Sequence, residues 1–216
     1  FQEQEVVLYR AALALRHGEP HEIVSARKIL FSLAFPAIEH RYDDHWIQAY
    51  AQRLLSEDCL RNSEPKEAVK LHMQLCKGLE DYHGFSPYIL PWFVDYEAML
   101  VEELQKQALS DELQIVLGTG VRLREQRLPS NDAQIAFSKL KLARFLADER
   151  EKYSEAASLA SNAFGILNGH PIAPVERAAE AVDQLLNIYS ARNRPTELEH
   201  WKSQLAKMRR DHEIDP

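Results

Sequence analysis

The sequence predicts an all-α fold, an α-solenoid of about five helical hairpins. Three observations predict it. A four-residue signature with Glu in its third slot and an apolar residue in its fourth recurs five times. The copies are Pro20-His21-Glu22-Ile23, Pro65-Lys66-Glu67-Ala68, Ser110-Asp111-Glu112-Leu113, Tyr153-Ser154-Glu155-Ala156 and Pro195-Thr196-Glu197-Leu198. Their first residues lie 45, 45, 43 and 42 apart, a period that marks stacked helical hairpins. The chain has 216 residues, and a fifth of that is about 43, so the repeats fill it and leave no room for a separate catalytic domain. Strand signals are nearly absent, since no run of alternating β-branched residues is flanked by hairpin turns.

Each signature reads as a helix start. Proline suits the first helical position, where its missing N–H has no intrahelical partner anyway. Glutamate in the first turn meets the positive end of the helix dipole. Another amphipathic stretch precedes each signature, which gives hairpins at 2–16 with 20–35, 44–61 with 65–82, 88–108 with 110–127, 132–149 with 153–168, and 174–191 with 195–210. This organisation predicts one repeat domain over 1–210 and a short polar tail over 211–216. Pro36, Pro87, Pro129 and Pro171 punctuate the connections between hairpins. Asn168-Gly169-His170-Pro171 is the clearest stop, with Gly169 free to adopt positive φ.

Composition narrows the role. With 26 Lys and Arg against 33 Asp and Glu, the formal charge is −7, which argues against a nonspecific nucleic-acid binder. No apolar run is long enough to span a bilayer. The opening Phe1-Gln2-Glu3-Gln4-Glu5 has no signal-peptide pattern and no Met, which points to a piece excised from a longer chain. Cys59 and Cys76 do not make a disulfide framework; they read as buried or half-buried thiols in a reducing, cytoplasmic setting.

The fourth hairpin carries a family likeness. Leu142-Ala143, Leu146, Tyr153, Ala156, Ala160 and Ala163 resemble the tetratricopeptide (TPR) pattern, once one extra residue is allowed around Glu149 to Lys152. Leu185, Tyr189, Pro195, Leu198 and Leu205 fit without that insertion, and the second, third and first hairpins follow more loosely. The long period is similar to the long-helix variety seen in kinesin light chains and bacterial regulators. Gly169-His170-Pro171 is similar to the Gly-x-x-His-Pro linker of that variety. Ser56, Val101 and Leu186 depart from the pattern, standing where the standard repeat has a small residue.

The resemblance implies a right-handed superhelix whose concave groove is lined by the first helix of each pair and binds a peptide or partner segment of another protein. Carried onto this sequence, the groove slots are Tyr50, Arg53 and Glu57, then Glu102 and Lys106, then Arg144 and Asp148, then Asp183 and Asn187. Only Asn187 matches the asparagine slot of the members that clamp a C-terminal carboxylate. Two other classes remain: a regulatory repeat domain of a bacterial transcription activator or signalling kinase, and an all-α enzyme.

No chemistry can be assembled with any specificity, so the chain reads as a non-enzyme with no cofactor and no metal. His72 and Cys76 have helical metal-ligand spacing, but a pair supplies two ligands and His72 falls on a packing slot. Asp43-Asp44 lacks the third Asp of a prenyl-chain magnesium motif, because position 47 is Ile; Asp44 reads as a helix N-cap. Gly118-Thr119-Gly120 lacks a preceding strand and a third glycine, and is expected to loosen or kink a helix. Arg122, Arg124, Arg127, Lys139, Lys141 and Arg144 form one basic stretch, read as a solvated face or as an anchor for an acidic peptide. Pro87 to Phe93 reads as a core plug or an exposed apolar patch.

Overall fold

The computed structural model describes residues 2–35, 45–81 and 89–212. Among these residues the chain forms helices only: α1 (Gln2–His17), α2 (Pro20–Ala34), α3 (His45–Arg61), α4 (Pro65–Asp81), α5 (Ile89–Lys106), α6 (Ser110–Arg127), α7 (Ala133–Asp148), α8 (Tyr153–Leu167), α9 (Val175–Ala191) and α10 (Pro195–His212). The second helix of every hairpin begins at the first residue of its signature, so the recurring Glu stands at the third helical position each time. In α2 this has a direct effect: the Glu19 N–H donates to Glu22 Oε2 at 2.8 Å, which satisfies a donor the helix leaves free. Helix α10 runs two residues past the expected boundary at 210. Pro36, Asp43, Asp44 and Pro87 lie outside the described residues.

The turn inside each hairpin is built from backbone. Ser63, Ala108, Glu151 and Asn193 each sit two residues before a signature, with φ of 61°, 53°, 51° and 51°. These left-handed residues let the next N–H turn back onto the helix just ended. Glu64 donates to the Cys59 carbonyl at 2.8 Å, Leu109 to that of Leu104 at 3.0 Å, and Arg194 to that of Tyr189 at 3.0 Å. This is the Schellman closure, which pairs otherwise orphaned carbonyls. In the fourth hairpin Lys152 donates to Leu146 at 2.9 Å, one residue farther back, so the inserted residue is absorbed in the turn without moving the helix start. The first hairpin uses Gly18, whose N–H donates to the Ala14 carbonyl at 2.9 Å. A Cβ on Gly18 would come within 2.6 Å of that oxygen, so glycine is required there.

The described residues group into two compact units, Phe1–Thr119 and Gly120–Pro216, and the division falls inside α6. The signature spacing runs through it. In the first unit α1 packs on α2, α2 on α3, α3 on α4 and α4 on α5, and the first helices also touch one another, α1 with α3 and α3 with α5. In the second unit α7 packs on α8, α8 on α9 and α9 on α10, with α7 also touching α9. That scheme, neighbour on neighbour plus first helix on first helix, is repeat stacking.

Burial follows the repeat register. Leu142, Leu146, Ala156, Ala160, Ala163 and Leu185 are all buried. Three alanines on one stripe of α8 let it approach its neighbours closely while Leu146 and Leu185 fill the space around them. In the first unit Leu8, Leu30, Ile47, Leu54 and Leu71 belong to one core cluster. Ser56 is fully buried in place of the usual small residue. Its Oγ donates to the Ala68 carbonyl at 3.0 Å and accepts from the Tyr96 hydroxyl at 2.7 Å, so the departure is accommodated by hydrogen bonding. Gly118-Thr119-Gly120 stays inside the unbroken helix α6, and the Thr119 hydroxyl donates to the Ile115 carbonyl.

Two exchanges test the backbone account. Ala108→Gly relieves a left-handed alanine, and Gly118→Ala restores helix propensity where a Cβ would meet nothing within 4 Å. Each is expected to raise unfolding stability by about 0.5–1 kcal/mol, measured by urea denaturation. A loss from Ala108→Gly would mean that the turn is not built as described. Ala156→Arg puts a charge and extra volume at a fully buried position of α8 and is expected to cost about 3 kcal/mol or more. An unchanged melting temperature would contradict the assigned register.

Candidate functional site

The second unit gathers four of the expected groove residues into one place. Arg144 and Asp148 on α7, with Asp183 and Asn187 on α9, line a cleft of about 440 Å³, completed by Ala147, Tyr153, Glu180, Gln184, Ile188 and Ala191. The two helices supply equivalent slots because both are first helices and they touch directly. Turn-to-turn spacing of four residues keeps each pair on one helix face. Arg144 is committed across the cleft, with Nη2 3.2 Å from Glu180 Oε1, while Arg177 Nη1 holds the other oxygen of Glu180 at 2.9 Å. The Arg177 guanidinium also lies 5.5 Å from the Phe137 ring centroid, which steadies this edge.

The expected groove residues of the first unit are arranged differently. Arg53 donates to Glu57 Oε1 at 2.6 Å, and Arg61 stands 3.6 Å from the second oxygen of Glu57. Glu102 and Lys106 pair at 2.8 Å on their own helix. That contact draws the Glu102 carboxyl below, and the Lys106 amine above, the ordinary range, by hydrogen bonding first and charge second. Exposed pairs of this i,i+4 kind stabilise a helix by only a few tenths of a kcal/mol, roughly. Tyr50 and Trp92 flank Arg53, whose guanidinium carbon lies 5.5 and 5.6 Å from the two ring centroids. Alternating charge in the sequence therefore marks intrahelical pairing on α3 and α5, whereas on α7 it marks a cross-helix contact.

Several other sequence features resolve into packing. His72 and Cys76 are fully buried, with Sγ and Nε2 3.5 Å apart. The His72 ring stacks 5.7 Å from Phe93 and lies 5.6 Å from Tyr96, as its packing slot implies. Among the described residues no three His, Cys, Asp or Glu side chains are grouped to hold a metal ion. Phe93 is buried at the start of α5 and Trp92 is half-buried; the residues before Ile89 in that segment lie outside the description. Burial pushes the Tyr96 hydroxyl far above its usual pKa, against the Ser56 hydrogen bond.

The basic stretch is not one solvated face. Arg122, Lys141 and Arg144 are exposed, but Arg124 is 3% and Lys139 8% exposed. Arg124 Nη1 donates to the Gly120 carbonyl at 2.9 Å, and Lys139 bridges Glu125 at 2.7 Å and the Asn162 side chain. Spacing alone could not separate these, because long cationic side chains bury their stems while their heads find partners. Sequence reasoning also missed Gln184 and Tyr153 as cleft residues. The signal was available in part: Gln184 follows Asp183 on a face otherwise filled by Ala181, Val182 and Leu185.

Among the described residues no helix is long and apolar enough to cross a membrane. No protein-family model matches the sequence, nor does any curated protein sequence. Solved structures do resemble the fold. A Podosopora anserina structure of kinesin-light-chain type with nearly identical TPR-like repeats aligns over 100% of both chains at 18% identity and TM-score 0.52. A single-substitution form of that same protein gives 18% and 0.52 over 99% of each chain. BtubC (BKLC) from P. vanneervenii aligns over 98% of this chain and 82% of its own at 13% identity and TM-score 0.53.

The Cys59 thiol is pushed up to about 11, by burial first and then by Glu64 and Asp58. The thiolate is the reactive form, so at pH 8 Cys59 is expected to alkylate roughly 100-fold more slowly than an ordinary thiol. Peptide mass spectrometry after timed iodoacetamide treatment reads this; a rate equal to that of free cysteine would contradict it. The fold of this chain is the TPR-like helical-repeat fold of those structures.

Proposed function

We propose that the chain is a non-catalytic interaction module that holds an extended segment of another protein along the first helices of its second unit, with the α7–α9 cleft as the seat. One observation carries the proposal: slots chosen by repeat register on two separate helices, Arg144, Asp148, Asp183 and Asn187, line a single cleft. Its side chains supply both hydrogen-bond donors and acceptors beside the apolar lining residues Ala147, Ile188 and Ala191, which suits a polar backbone with small or stemmed side chains. The neighbours of kinesin-light-chain type support a scaffold role through fold alone.

The test is peptide selection. Extended peptides selected against the chain are expected to lose at least tenfold in affinity with Asn187→Ala combined with Ala147→Trp, which fills the cleft, and less than twofold with Lys202→Ala on the exposed side of α10. Undiminished binding by the double variant would remove the cleft as the seat. It would move attention to Tyr50, Arg53 and Trp92 in the first unit.

A further inference from the structure

We infer that the α7–α9 cleft selects an arginine side chain of the bound segment, an inference that rests on the proposed peptide-binding role of this cleft. Its charged lining is one cation against three anions: Arg144, Asp148, Glu180 and Asp183. Glu180 is already shared between Arg144 and Arg177. Asp148 and Asp183 are exposed, and their carboxylates make no hydrogen bond or ion pair among the described residues. The free charge of the cleft is therefore negative.

Helix geometry deepens that field. Asp148 is the last residue of α7, and the last turn of that helix carries no basic residue. A carboxylate there stands against the negative end of the helix dipole, where a cation is favoured instead. No ion pair among the described residues offsets this placement, and a bound cation would.

A second observation is independent of charge. Gln184 is 8% exposed and lines the cleft, yet its buried Oε1 has no hydrogen-bond partner among the described residues. Buried polar atoms are nearly always paired, so this one marks a position where a ligand donor is wanted. An arginine meets all of these needs at once. Its stem lies on Ala147 and Ile188, and its planar head carries five donors for Asp148, Asp183 and Gln184. A lysine offers a compact charge with fewer directed donors, and an acidic side chain would be repelled.

The test uses isotope-labelled full-length chain and three blocked nonapeptides of Ser and Gln, carrying Arg, citrulline or Glu at the centre. Citrulline keeps the shape and loses the charge. The Arg peptide is expected to shift the side-chain amide signals of Gln184 and Asn187, assigned by their loss in Gln184→Leu and Asn187→Ala. It is expected to bind at least tenfold more tightly than the citrulline peptide and to weaken as salt rises. Asp148→Asn with Asp183→Asn should erase that difference without lowering the melting temperature, since neither carboxylate is paired and Asp148 opposes the helix dipole. Citrulline and Arg peptides binding within twofold of each other, with shifts that Asn187→Ala removes, would overturn the arginine assignment and leave the peptide-binding cleft standing. Tighter binding of the Glu peptide would overturn it as well. No shift at any cleft residue with any peptide would reject both.

Discussion

The hydrogen bond that closes four of the five hairpins sets the register of everything after it. A residue in the left-handed region turns the chain, and the next N–H returns to a carbonyl near the end of the helix just completed. The second helix must then start one residue later, which is why the signatures begin helices and why their glutamates share one position. Three of these turns span five residues and one spans six. The longer turn places the insertion where it costs only local backbone, and the alanine stripe of α8 still meets its neighbours. Ser63, Ala108 and Glu151 are left-handed yet neither glycine nor asparagine, so each of those turns stores strain of about 1–2 kcal/mol, offset by carbonyls that would otherwise be orphaned.

Register on the second helix determines what the first helices present. With α7 and α9 stacked through the same register, equivalent slots face one cleft, and Arg144 can reach Glu180 on the neighbouring helix. The same slots on α3 and α5 carry cations and anions four apart on one helix, and these close on each other. Charge order along a helix is thus a poor guide to a groove. The informative quantity is which charges stay unpaired after folding, and in the cleft they are the carboxylates of Asp148 and Asp183.

Much of the fold was legible in the sequence because the repeat supplies five copies of one weak signal. Helix starts at Pro65, Ser110, Tyr153 and Pro195 came from a signature whose proline and glutamate have local physical roles. The insertion near Glu149 was visible because the register slipped by one residue. Less was legible at the level of side-chain partners. Lys139 and Arg124 looked solvated because their partners, the Asn162 side chain and the Gly120 carbonyl, come from tertiary contact and from the helix backbone. Gln184 was only half legible as a site residue: its place beside Asp183 was visible, but an amide among apolar neighbours declares itself fully only when its partner is missing. Left-handed turn residues escaped notice since Ala108 and Glu151 are not the glycine or asparagine such a turn prefers.

The central claim is that the unpaired face of α7 and α9 is where a partner segment lies. Amide hydrogen exchange of the full chain, with and without a bound peptide selected against it, tests this most directly. The account predicts added protection concentrated in the last two turns of α7, the start of α8 at Tyr153 and the second half of α9, with α8 beyond its first turn and α10 unchanged. Protection confined to the second helices, or to the surface around Tyr50 and Trp92, would contradict it.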